Sequence, residues 1–278
     1  MMVVEEGKEF PLAGGRQTPG VVRVGGTVRR PMGPNSRFVH DLLRYLEAVG
    51  FRGSPRLLGV DERGREVLSF VLCNVPHDHG EYSPSEAQLV KVAALIRHFH
   101  DTTAGSALAS DAEIVAHNEL GPHNTVFAGD EPVAFIDWDD AAPGTRLFDL
   151  ANAIWCFVDV GEGGGPVGEQ ARLIRLMCDA HGWDDPHAIV DEIRADLRRA
   201  SANHERAGRW KARAIFLEMV GWIDAHADEL KASVQANRPN TGDSGSRQGT
   251  TAMISFYLRL FSNSNRTLCS PSSLSAAA

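Results

Sequence analysis

Up to Leu72 the apolar positions come in short runs broken by glycine or charged turns, the pattern of small antiparallel strands. Val21 to Val24 and Thr27 to Arg30 flank Gly25-Gly26, whose missing side chains suit a tight hairpin. Arg56 to Val60 and Glu66 to Leu72 flank Asp61-Glu62-Arg63-Gly64 and predict a second hairpin. Between them Val39, Leu42, Leu43 and Leu46 recur at helical spacing over Phe38 to Val49, and Gly50 stops the run. After Leu72 the period lengthens. Ser83 and Pro84 read as the cap and first residue of a helix, with Glu86 three residues after the cap, and a stripe of Leu89, Val92, Leu95, Ile96 and Phe99 carries it to His100. Gln170 to His181, Pro186 to Ala202 and Arg209 to Leu230 repeat the helical spacing. The chain beyond about Ala232 is rich in Ser, Asn, Thr and Gly and reads as a disordered tail, apart from Met253 to Phe261, an aromatic segment suited to docking or aggregation. The expected fold is therefore α+β. Residues 1–72 form a small antiparallel sheet with one helix, 73–231 a larger, mainly helical unit, and 232–278 the tail.

One segment carries chemistry beyond its periodicity. Glu119 lies five residues before Asn124, and Asp137 follows thirteen later. Thr125-Val126-Phe127 and Val133-Ala134-Phe135-Ile136 flank the turn Ala128-Gly129-Asp130-Glu131, so a hairpin is expected to set Asn124 and Asp137 side by side. An amide oxygen and a carboxylate there make a hard-oxygen site for a cation that keeps waters and borrows phosphate oxygens. Glu119 is placed to accept a hydroxyl proton. Singly each is an ordinary loop residue. It is their combination around a hairpin that points to phosphoryl transfer.

These residues resemble the catalytic core of the aminoglycoside phosphotransferase family, relatives of choline and homoserine kinases and a branch of which is described as trifolitoxin immunity proteins. The family pattern H-G-D-x-x-x-x-N, then I-D-W, then D-L-A stands here as His117-Asn118-Glu119 with Asn124, Ile136-Asp137-Trp138 and Asp149-Leu150-Ala151; His100-Asp101 fits its L-H-D. The resemblance covers about residues 10 to 230. It implies a protein-kinase-like two-lobed fold, with ATP as co-substrate and Mg2+ as cofactor. Glu119 takes the catalytic-base position, Asn124 and Asp137 the metal positions, and His117 and Asp149 supporting ones. The base is an aspartate in the family. Glutamate moves the carboxylate by about 1.5 Å, one carbon–carbon bond, and displacement on that scale can cost on the order of a hundredfold in rate.

In the N-terminal unit, Gly14 and Gly15 precede the first strand and would let backbone amides approach nucleotide phosphates. Where the family places a strand lysine this chain has Arg29 and Arg30. Strand alternation sends them to opposite faces, and Arg30 is expected in the cleft with Arg29 in solvent. Arginine is always charged and grips phosphate bidentately. No partner acid is evident on the following helix; His40 lies nearby and Glu47 too far along. The resemblance makes Ser69-Phe70-Val71-Leu72 the hinge, with Phe70 and Leu72 as nucleotide contacts.

Composition narrows the classes. A net charge of −8 argues against a nucleic-acid binder, which needs clustered Lys and Arg. From Lys231 onward five basic residues and one acid leave −12 on residues 1–230, a body suited to a cationic small-molecule acceptor and equally to plain solubility. The N-terminus lacks a signal-peptide pattern, no run is long enough to span a membrane, and Cys73, Cys156, Cys178 and Cys269 are scattered, so a reduced, cytoplasmic protein is expected. Three readings follow: an ATP-dependent small-molecule kinase, a nucleotide- or ligand-binding protein of weak or no activity such as a toxin-immunity protein, and a protein kinase. Asn118 before the catalytic acid and Trp138 after Asp137 count against the third.

Overall fold

The structure, a computed structural model, describes residues 7–12, 20–72, 75–76 and 83–236. Gly14 and Gly15 lie outside the described residues, as does the chain beyond Ala236. Strands β1 (Phe10–Pro11), β2 (Val22–Val24), β3 (Thr27–Pro31), β4 (Leu57–Val60) and β5 (Arg65–Ser69) make an antiparallel sheet in the order β1-β2-β3-β5-β4. Both hairpins form about their expected turns. The central pairing is the non-local one: β3 runs against β5, with Arg30 directly opposite Glu66.

Helix α1 (Ser36–Ala48) joins the two hairpins and buries Val39, His40, Leu42, Leu43 and Leu46. It ends because Gly50 adopts φ 82°, which lets Gly50 N donate to Glu47 O and Phe51 N to Leu46 O at 2.9 Å while the Phe51 ring is buried. At its start Asn35 makes no side-chain cap. Its amide instead donates to the carbonyls of Asp139 and Ala141, at 2.8 and 2.9 Å, and so ties the small lobe to the large one.

The large lobe holds α2 (Glu86–Thr103), β6 (Ile114–Ala116), β7 (Thr125–Ala128), β8 (Glu131–Phe135), β9 (Ala142–Gly144), α3 (Arg146–Val158), α4 (Val167–His181), α5 (Pro186–Arg206) and α6 (Trp210–Ala236). Helix α2 starts two residues later than expected. Ser85, not Ser83, is its cap: Ser85 Oγ accepts from Gln88 N, and Gln88 Oε1 accepts from Ser85 N, a reciprocal capping box. Helix α3 is an element the periodicity did not reveal, and Thr145 caps it through Phe148 N. Its buried Leu150 and Ile154 join Leu89 and Ile96 of α2, Ile174 and Met177 of α4, and Ile193 of α5 in one core. Each such side chain contributes about 1.5–3 kcal/mol on burial. The architecture is a two-lobed α+β fold with a small antiparallel sheet and helix set against a mainly helical lobe.

Candidate active site

Two nested antiparallel pairings build the site. The outer one joins β6 to β9, with Ala116 opposite Ala142; the inner one joins β7 to β8, with Thr125 opposite Phe135. Residues 117–124 and 136–141 are thereby squeezed between two closed ends and emerge side by side. Ile136 N donates to Asn124 O at 2.9 Å, so Asn124 and Asp137 are neighbours across the chain reversal. Asn118 and Asp137 sit at φ 67° and 62°, a left-handed conformation that Asn and Asp adopt more readily than most residues.

A buried carboxylate holds the first of these loops. Asp149, in the first turn of α3 and fully buried, accepts from His117 N at 3.1 Å, from Asn118 N at 2.8 Å, and from His100 Nε2 at 3.0 Å. His100 in turn meets His181 Nε2 at 3.0 Å. Burial resists ionising Asp149, yet the His100 hydrogen bond and the backbone amides bring its pKa below the usual carboxylate range. Burial pushes His181 down to about 3, with His100, Arg97 and Arg146 adding to it. His117 is also held neutral by burial, its Nε2 donating to Ile136 O at 3.1 Å. These histidines and Asp149 form a scaffold under the loop.

Above that scaffold lies a cluster of oxygens. Asn124 Nδ2 donates to Glu119 O at 2.9 Å, and Asn118 Nδ2 to Asp140 O at 2.7 Å. Burial pushes the Glu119 carboxyl up to about 7, reinforced by Asp137 and Asp140 and opposed by a hydrogen bond from Asn124. Burial raises Asp140 as well, helped by Asp139 and Asp137.

The charge that offsets these acids comes from the small lobe. Arg30 crosses the cleft, its Nη1 3.2 Å from Asp137 Oδ1 and its Nη2 on Asp139 Oδ2. Its Nε lies 2.8 Å from Glu66 Oε1, an ion-pair contact whose N–H does not point along a hydrogen-bond direction. Arg29 points the other way, 3.5 Å from Asp61 and a third exposed. Phe70 N is engaged by Gly26 O, Arg23 stacks 4.0 Å over the Phe70 ring, and Leu72 is exposed. Sequence reasoning missed Glu66, whose position opposite Arg30 depends on pairing two strands far apart in the chain.

The Asn124 amide and the Asp137 carboxylate offer oxygen ligands, the kind magnesium takes together with phosphate oxygens and waters, and the Asp137 carboxylate also carries the Arg30 guanidinium. Among the described residues no three His, Cys, Asp or Glu side chains gather to hold a metal ion by themselves.

A curated relative, a trifolitoxin immunity protein from Rhizobium leguminosarum bv. trifolii, is 36% identical over 197 residues, which span 63% of this chain and 74% of the relative. Residues 37–172 match the phosphotransferase enzyme family. The chain belongs to the aminoglycoside phosphotransferase family. The part of the chain that matches the family holds α1, Glu66, the nested hairpins and Asp149. Solved structures share the fold at low identity. The gentamicin complex of APH(2")-IIa superposes with a TM-score of 0.55 at 10% identity, covering 78% of this chain and 92% of that one. A spectinomycin phosphotransferase, APH(9)-Ia, in complex with ADP and spectinomycin gives 0.51 at 11% identity, covering 76% and 88%.

Proposed function

We propose that this chain transfers the terminal phosphoryl group of ATP to a hydroxyl of a small molecule, an aminoglycoside-like antibiotic being the class its structural neighbours suggest. The observation that carries the reading is the meeting of Glu119, Asn124 and Asp137 on a loop braced by Asp149, under a guanidinium from the opposite lobe. Asn124 and Asp137 would hold magnesium, which when bound neutralises charge on the phosphates. Among the described residues of the small lobe, Arg30 is the cation that reaches Asp137 and Asp139 across the cleft, and its fork suits phosphate oxygens. Glu119 takes the proton of the attacking hydroxyl. A carboxyl titrating at about 7 is matched to base catalysis at neutral pH. Phosphoryl transfer relies mainly on positioning and electrostatics, so a glutamate base supports turnover at a reduced rate.

A second reading has its own support. Glutamate at the base position, together with 36% identity to an immunity protein, fits a chain that binds nucleotide or ligand and transfers nothing. Single-turnover measurements with magnesium-ATP over an aminoglycoside panel separate the two. Transfer in the wild type that Glu119→Ala abolishes supports the kinase, and Glu119→Asp should then raise the rate by about tenfold to a hundredfold at unchanged ATP affinity. Equal activity in wild type and Glu119→Ala removes Glu119 as a base. Magnesium-dependent stabilisation by ATP that survives undiminished in Asp137→Ala removes the metal assignment.

A further inference from the structure

We infer that Glu66, clamped by His40, is the residue that positions Arg30 toward the nucleotide phosphates, so that a neighbouring strand rather than helix α1 supplies the acid partner of the phosphate-binding cation. The inference rests on the kinase reading above.

Three observations converge on it. First, Arg30 and Glu66 are directly opposed in the β3–β5 ladder, so their side chains leave the sheet on one face at adjacent sites. Second, both oxygens of Glu66 are engaged: Oε1 is 2.8 Å from Arg30 Nε, and Oε2 is 2.7 Å from His40 Nε2, whose N–H donates to it. His40 comes from α1, the helix that follows β3. It holds the acid instead of being replaced by one. Third, the triad is shut away from water, with Glu66 2%, His40 8% and Arg30 9% exposed. A buried carboxylate anchored at its other oxygen by His40 has little room to follow a moving partner, so it sets where the guanidinium lies.

The geometry also gives a reason for arginine. Its Nε packs 2.8 Å from Glu66 Oε1, while its two Nη groups reach Asp137 and Asp139 across the cleft. One side chain therefore meets three carboxylates in different directions. A lysine ammonium is a point charge and cannot be held on one side while presenting a fork on the other. The Nη edge is the part free to exchange carboxylate oxygens for phosphate oxygens, and Glu66 keeps the guanidinium from turning.

The test is a double-mutant cycle on the full chain, read by the dissociation constant of a fluorescent ATP analogue with magnesium. Glu66→Gln keeps the shape and should weaken binding by about tenfold, the size of one charge-assisted interaction. Arg30→Ala should weaken it at least as much, and the double variant no further, because Glu66 acts only through Arg30. Additive losses, or unchanged affinity in a folded Glu66→Gln, overturn the inference. If Glu66→Gln does not fold, His40→Phe and His40→Gln decide. Loss of affinity in the first with recovery in the second supports the clamp, and equal affinities overturn it. If the wild type binds no nucleotide, the kinase reading fails, and nitrogen-15 NMR of the Arg30 guanidinium judges the positioning separately. A resonance that moves and sharpens in Glu66→Gln, as rotation is freed, supports it; an identical spectrum overturns it.

Discussion

At the residue scale, the environment of a carboxylate outweighs its identity. Asp149 is fully buried and Glu119 and Asp159 partly so, yet Asp149, with three N–H donors, stays ionised while the other two are pushed up. Asp159 closes α3 at φ 57°, and burial alone raises its carboxyl to about 6 from an ordinary 3.8. The folded chain therefore keeps a proton there that the unfolded chain has lost. Stability falls as pH rises from about 4 to about 6, and the full penalty of up to about 3 kcal/mol persists above that window. Asp159→Asn, which suits the left-handed conformation, should raise the unfolding free energy by up to that amount at pH 7 and change little at pH 4. Urea unfolding at the two pH values checks it, and equal gains at both would show that charge burial is not the cause. Asn124 and Asp137 were legible as neighbours because a hairpin turn is local. Glu66 was not, because nothing within a few residues of it announces which strand it will face.

At the element scale, the loop that carries Glu119 and Asn124 is held less by its own sequence than by the first turn of α3. Asp149 is the acceptor for two consecutive backbone amides and a histidine ring. Asp149→Asn leaves one carbonyl oxygen for those donors and turns an NH2 group against another. We expect a loss of about 3–5 kcal/mol, typical of breaking a buried charged network. On the proposed function, phosphotransfer should fall with it even at temperatures where the variant stays folded. Chemical denaturation and single-turnover rates test both parts, and a variant of wild-type stability would show the brace to be dispensable. Helix α2 illustrates what local signals leave open. Ser83 with Glu86 and Ser85 with Gln88 offer the same capping chemistry two residues apart, and both patterns satisfy the rule. The structure uses Ser85, from which the stripe beginning at Leu89 faces the core.

At the scale of the whole molecule, the described chain closes its own core. Helix α6 runs to Ala236, five residues beyond Lys231, with Leu230 and Val234 fully buried. Truncation after Ala236 should preserve cooperative unfolding, whereas truncation after Lys231 removes Val234 and should lower the melting temperature by several degrees, as loss of one core side chain does. A calorimetric scan of both variants tests this, and a broad transition in the longer one would show that the core extends past α6. Alternating strand positions, helical stripes, the turn between β7 and β8 and the spacing of Glu119, Asn124, Asp137 and Asp149 were determined by the sequence alone, because each depends on residues near one another in the chain. The pairing of β3 with β5, the histidine chain beneath Asp149, the clamp of Glu66 by His40 and the reach of Arg30 across the cleft were decided only by tertiary structure. Each joins residues distant in sequence, whose partners are selected by packing and by the need to satisfy buried charge, and no local pattern encodes that choice.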